Sequence, residues 1–564
     1  MYKQKENLDY PKMTMFQMIE RNVKAFPHRC AYEFYGKQTD YESFVKKIEQ
    51  AAAAFYRAGI RMNDRITICM PNTPQALVCF YALSRIGAVA NMVHPLSARD
   101  EITYYLNFSK SKMILTMDMF CEKVESALEK VDHPIEILVA RMEDELPLPL
   151  AAAFFLKTGR EFIKYPNTDH ATLWTAFFKT GAGHESELPS VEYDESRTAV
   201  ILYSGGTSGT PKGICLSDKN MNAVGIQGRE VINVPEDGNC YSILACMPMF
   251  HGFGLGINIH LILSHGYKCI LMPTFNLKNY ADMLIKKKPN FIAGVPTLFE
   301  ALLHIKKLDG VKLDFLMGMF CGGDSLPIEL KKDIDKFLKD HGASIQVREG
   351  YGLTECVTAS CLTPPDRYKE GSIGIAFPDM TYAIVKPGTD EVVPNGTEGE
   401  IILTGPTVML GYLDNPEETA QTLKVLADGR TWLYTGDLGS MDDEGFVFFK
   451  QRIKRMIITN GYNVYPSQLE KVIDSVNEVA YSCVIGVKDP KRMQRVKAFV
   501  VLKPGFSPTK EIEDEIRKEL KLKVAGYALP KEIEFRTELP KTLVGKVAYR
   551  QLEEEENKKL NTTG

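Results

Sequence analysis

Thr198-Ala-Val-Ile-Leu-Tyr-Ser-Gly-Gly-Thr-Ser-Gly-Thr-Pro-Lys-Gly-Ile-Cys-Leu216 is the stretch whose reading decides the fold. Its first apolar run predicts a strand over 198–202, and its last predicts a second short strand over 213–216. Between them lie Ser204, Gly205, Gly206, Thr207, Ser208, Gly209, Thr210 and Lys212. Glycines let backbone N–H groups turn toward an anion, hydroxyls add donors, and one lysine offsets polyphosphate charge. The composition suits a triphosphate cradle, and it equally suits a plain flexible turn. It is not the common strand–loop–helix phosphate motif, because Pro211 precedes Lys212 and no helix is predicted directly after it.

Working outward, apolar runs alternate with helical periods on both sides of this stretch. Upstream, a strand is predicted at 65–70, then a Pro-Asn turn, then a helix with Leu77, Phe80, Leu83 and Ile86 at helical spacing, then strands at 113–116 and 135–140. Downstream, strands at 242–248, 267–273 and 291–295 alternate with helices from Gly254, at 280–287 and at 297–306. This pattern predicts layered α/β structure with parallel sheets. From 372 to about 450, short apolar runs separated by Gly, Pro and Asp predict a small β-rich region within a large N-terminal domain, 1–451. The remainder, 452–564, predicts a smaller C-terminal α/β domain, with a helix at 469–476, strands at 483–487 and 497–502, and a charged helix at 510–520. The region 141–193 is irregular.

Bulk composition narrows the function classes. With 68 Lys+Arg against 72 Asp+Glu, the formal net charge of -4 gives no broad basic footprint, so nucleic acid is not an expected partner. The charged opening has no apolar run after it, so no leader is read and a cytoplasmic location is expected. No stretch reaches the roughly 18 apolar residues of a membrane span. The apolar segment 146–156 fits either a buried segment or one that docks on a surface, which leaves peripheral membrane contact open. The 12 cysteines are scattered, without metal-ligand spacing, as reduced core thiols would be.

Four further motifs follow in order. Gly350-Tyr351-Gly352-Leu353-Thr354-Glu355 combines a flat ring, suited to a flat base, with a hard carboxylate suited to Mg2+. Tyr434-Thr435-Gly436-Asp437 offers a carboxylate for a pair of sugar hydroxyls, or a turn aspartate that caps its own backbone. Gln451-Arg452-Ile453-Lys454-Arg455-Met456-Ile457 precedes Asn460-Gly461-Tyr462. Leu539-Pro540-Lys541-Thr542-Leu543-Val544-Gly545-Lys546 closes the series.

Together with the glycine-rich loop, these motifs resemble the adenylate-forming superfamily of AMP-dependent ligases over nearly the whole chain, most of all its fatty-acyl-CoA synthetases. Two departures stand out: Gly205 takes a place where Ser is common, removing one donor, and Gln451 replaces a frequent glycine. The resemblance implies ATP, Mg2+ and coenzyme A as the cofactor and co-substrates, and a carboxylic acid as the small-molecule partner. Within it, Lys212, Thr207 and the loop residues would hold phosphates, Glu355 the metal, and Tyr351, Gly352 and Thr354 the nucleotide. Gly323 and Asp324 would join them at the nucleotide. Asp437 would hold the ribose and Arg452 the nucleotide, Lys454 would act as hinge, and Gly461 would line the thiol path. Lys546 would bring its ammonium to the reacting carboxylate and α-phosphate. The chain would act as a monomer or homodimer.

Pro248-Met249-Phe250-His251-Gly252-Phe253-Gly254 matches the mouth of that family's acyl pocket. His251 stands where amino-acid activators commonly carry aspartate, so an α-ammonium would find no fixed negative charge; an ordinary loop histidine is the alternative. Gly322, next to Gly323, ends a predicted strand where a ligand can lie against backbone. A medium- or long-chain fatty acid is the first expectation, with aryl and sterol-type acids still open. Loading of a separate carrier protein is the alternative to CoA.

Overall fold

The computed structural model describes residues 5–159, 161, 170–204, 211–459, 462–489, 493–541 and 547–562. It divides into two compact units: one of 1–382 with 403–433, the other of 383–402 with 434–564.

The first unit carries two sheets. In one, Cys30–Phe34, Lys268–Leu271, Ser242–Ala245, Phe291–Gly294, Gly318–Cys321 and Val347–Tyr351 run parallel as successive neighbours. Cys361–Leu362 then pairs antiparallel with Val347–Tyr351. In the other, Thr198–Ser204, Val89–Met92, Arg65–Cys69, Met113–Met117, Glu136–Ala140 and Ala171–Leu173 are parallel neighbours. Strands covered on both faces read as continuous apolar runs, and Met113–Met117 is buried at every position. The predicted α/β class and parallel sheets are therefore observed.

Local chemistry sets the helix limits. Thr73 accepts from the Ala76 N–H and Pro74 opens the helix Pro74–Arg85. The helix predicted at 280 starts earlier, at Leu277, because Asn276 Oδ1 accepts from the N–H groups of Lys278 and Asn279. The helix predicted from Gly254 is a wide π-helical stretch, Phe253–His260, that continues into Leu261–Ser264 as α-helix. The irregular region holds a short helix, Leu148–Phe154, with no buried residue. It also holds Trp174–Lys179, whose Phe177 ring packs 4.9 Å from that of Phe55. Among the described residues no helix is long and apolar enough to cross a membrane.

In the second unit, Met493–Leu502 pairs antiparallel with Val479–Asp489 and parallel with Glu532–Phe535. Side-chain alternation splits this sheet between two cores. Val484, Val496, Ala498 and Val500 pack with Leu469 and Ile473 of Pro466–Asp474 and with Ile512, Ile516 and Leu520 of Lys510–Lys523. Cys483, Ile485, Val487, Phe499 and Val501 face the other way, onto Leu539 and onto Leu552 of Tyr549–Thr562.

Candidate active site

In parallel sheets ligands settle outside the carboxyl ends of the strands, and that edge of the first unit gathers most of the predicted positions that fall among the described residues. Cys321 pairs with Glu349, so Gly322, Gly323 and Asp324 leave one strand beside the end of the strand that carries Tyr351. A Cβ on Gly322 would sit 3.2 Å from the Gly350 carbonyl oxygen, and Gly323 has φ +82°, so backbone lies close at the first position and a side chain would be strained at the second. The Gly322 N–H donates to the Gly294 carbonyl at 3.1 Å, tying in the next strand.

The element 248–254 hangs from the Pro-Asn turn. Asn72 Nδ2 donates to the carbonyls of Ala245 (3.0 Å) and Met247 (2.9 Å), and Asn72 Oδ1 accepts from the Met249 N–H at 2.8 Å. His251 is half-buried; its Nδ1 accepts from the Phe253 N–H at 3.2 Å, and the Phe250 ring lies 4.1 Å from that of His94. A Cβ on Gly252 would overlap the Val357 carbonyl oxygen, and one on Gly254 would overlap that of Pro248. Val357 itself has φ 67° and ψ -60°, and the Thr358 N–H donates to the Cys356 carbonyl at 2.8 Å across it. A valine in this γ-turn conformation is strained. It sits two residues after Glu355 and is fully buried.

The glycine-rich loop rises from an antiparallel hairpin in which Ser204 pairs with Lys212; residues 205–210 lie outside the described residues. Its two feet reach the same carboxylate neighbourhood. Ser204 Oγ is 3.5 Å from Glu355 Oε1, and the Tyr412 hydroxyl donates to Glu355 Oε1 at 3.0 Å. Lys212 is paired with Glu418, and its ammonium lies 4.8 Å from the centre of the Tyr412 ring. Burial, then the Glu355 charge, pushes the Tyr412 hydroxyl well above its usual range, which keeps it a proton donor. Ser204, Glu355, Tyr412 and Lys212 thus form one connected polar set, drawn from segments up to about two hundred residues apart.

Sequence reading missed Tyr412 and Glu418. Tyr412 arrives on a two-residue strand, Gly411–Tyr412, that pairs with the hairpin through Tyr412 and Ile214. Glu418 follows on the helix Pro416–Thr422, capped by Asn415. A Gly-Tyr pair followed by an Asn-Pro helix start was the available signal.

Within the second unit, Asp437 and Arg452 face each other in register, with Arg452 Nε 3.5 Å from the buried Asp437 Oδ1. The Gly436 N–H donates to Glu400 Oε1 at 3.0 Å, and the Asp437 N–H to Thr435 Oγ1 at 3.1 Å. Lys454 falls in the short turn Ile453–Arg455. Gly461 and Lys546 lie outside the described residues.

Comparison with known proteins fits this arrangement. The family model for AMP-binding enzyme matches residues 19–413, and that for the AMP-binding enzyme C-terminal domain matches 468–546. The chain belongs to the AMP-binding enzyme family. It is 34% identical over 558 residues to a long-chain-fatty-acid–CoA ligase of Bacillus subtilis (strain 168), covering 97% of this chain and 96% of that one. It is 30% identical to a long-chain-fatty-acid–CoA ligase of Escherichia coli O6:H1, covering 97% and 95%. Among solved structures, ATP-bound MatB from Rhodopseudomonas palustris shares the fold, with a TM-score of 0.81 at 24% identity, covering 96% and 99%.

Proposed function

We propose that this chain is an AMP-forming acyl-CoA ligase that activates a medium- or long-chain fatty acid in the cytoplasm. The connected set Ser204–Glu355–Tyr412–Lys212 carries the reading, since it puts a cation, a carboxylate and hydroxyls at the feet of a glycine-rich loop. The names of the two curated relatives support a fatty acid as substrate and CoA as acceptor.

The acid's carboxylate attacks the α-phosphorus of ATP, pyrophosphate leaves, and an acyl-adenylate remains. Lys212 and the loop hydroxyls of Thr207 and Ser208 hold the departing phosphates, Tyr351 lies on the base, and Asp437 takes the ribose. Lys546 offsets the charge that builds as one anion attacks another. Mg2+, when bound, would supply further neutralisation of the triphosphate. Glu355, a hard oxygen donor, would hold that ion. In the second half reaction the part from 452 onward turns about Lys454, Lys546 withdraws, and Gly461 lines the approach of the CoA thiol, which displaces AMP.

A screen of pyrophosphate release across fatty, aryl and sterol acids, with and without CoA, tests this. Release with fatty acids, and AMP plus thioester only when CoA is added, is the expected result. No pyrophosphate release with any acid would defeat the reading.

A further inference from the structure

The turn that contains Lys454 and the start of the helix Tyr549–Thr562 are joined by the side chain of Arg455. Arg455 closes the turn Ile453–Arg455, and its guanidinium grips Glu470 with two prongs, Nη2 to Oε1 at 2.5 Å and Nη1 to Oε2 at 3.4 Å. Glu470 Oε1 also accepts from the Val484 N–H at 2.8 Å, which fixes the carboxylate to the sheet. The same guanidinium lies 4.9 Å from the centre of the Tyr549 ring. Tyr549 opens the helix Tyr549–Thr562, just after an isolated antiparallel bridge. There Lys541 bridges Val547, and the Ala548 N–H donates to the Pro540 carbonyl at 2.7 Å. Lys546 falls between these feet in the sequence.

We infer that Arg455 is a positioning residue that locks the hinge turn to the base of the Lys546 segment, so that both move as one lever. The inference rests on the acyl-adenylate reading above. The fork and flat face of a guanidinium suit both contacts, and a lysine ammonium cannot make the pair of them. Without the tie, Tyr549 and the bridge Lys541–Val547 beside it tilt relative to the hinge turn. That displacement harms only the half reaction that needs Lys546.

The test uses the full-length enzyme with Arg455→Lys, Tyr549→Leu and both together. ATP–pyrophosphate exchange with the preferred acid reads adenylate formation, and thioester yield from synthetic acyl-AMP plus CoA reads the second step. Each single variant is expected to lose about tenfold in the first step while the second stays within about twofold. The double variant should lose no more than the worse single one, because one contact is removed twice. Tyr549→Phe keeps the ring and should retain the wild-type ratio of the two steps, which shows that the ring and not the hydroxyl makes the tie. Equal losses in both steps, additive losses, or an Arg455→Lys enzyme at wild-type rates would overturn the inference. Absence of exchange in the wild type would instead defeat the reading on which it rests.

Discussion

Tyr412 donates its hydroxyl to Glu355 Oε1 at 3.0 Å while the ammonium of Lys212 lies 4.8 Å from the centre of its ring. One side chain therefore orients the carboxylate read as the metal ligand and carries the cation read as the phosphate holder. Tyr412→Phe keeps the ring and removes the donor. Adenylate formation should fall by about ten- to 150-fold, matching the loss of one hydrogen bond to a charged group of about 1.5–3 kcal/mol. Pyrophosphate exchange at varied Mg2+ measures it, and an unchanged rate and metal dependence would remove Tyr412 from the site.

Lys546→Ala should abolish adenylate formation and leave thioester formation from supplied acyl-AMP largely intact, because only the first step builds charge on the attacked phosphate. Single-turnover assays of the two steps decide this; equal loss in both would contradict the division of labour.

Lys454→Pro locks φ at the residue assigned as hinge. Overall turnover should drop while at least one isolated half reaction survives, and an enzyme with full overall turnover would place the pivot elsewhere.

Gly252→Ala brings a methyl group into the Val357 carbonyl oxygen. The expected destabilisation is about 1–3 kcal/mol, as for other overpacked sites. Gly526→Ala, where an added Cβ meets nothing within 4 Å, is the control and should lie within about 0.5 kcal/mol of wild type. Denaturant midpoints compare the two, and equal effects would mean the neighbouring turn yields freely.

His260 gives a pH dependence of known sign. The Asn222 amide donates to the Met13 carbonyl, so its oxygen faces His260 Nε2–H at 2.9 Å, and Nδ1 accepts from the Tyr81 hydroxyl at 3.1 Å. Burial holds this neutral imidazole down to about 3. The unfolded chain gains a proton below about 6.5 that the folded one refuses, so stability is complete above that pH and declines as pH falls toward 3. His260→Gln, at a disadvantage at pH 7.5, should close up to about 2 kcal/mol of its gap to wild type by pH 5. A gap independent of pH would show that His260 does not titrate this way.

The two strands that flank the glycine-rich stretch and the parallel strands were legible because covered strands are largely apolar, as Ile66, Ile68 and Cys69 are in one and Met113, Ile114, Leu115 and Met117 in another. Helix starts were less legible: apolar spacing announces Tyr280, whereas the cap that begins the helix is the polar Asn276. Spacing also cannot separate an α-helix from the wider turns of Phe253–His260, since glycines at 254 and 256 carry no side-chain period. Residue types named Glu355, Tyr351 and Lys212 as candidates, but their partners depend on contacts such as that of Glu355 with Tyr412, which strand pairing creates and no local pattern records.

The ammonium of Lys212 already has a carboxylate neighbour in Glu418. An anion that draws on this lysine must compete with that glutamate for its three donors, a contest between two groups of like sign. A lone phosphate or sulfate offers little more than the incumbent. A chain of linked phosphates, pulling on the loop's backbone as well, has the leverage to win, which would make the pair a filter against the small anions that crowd any cell.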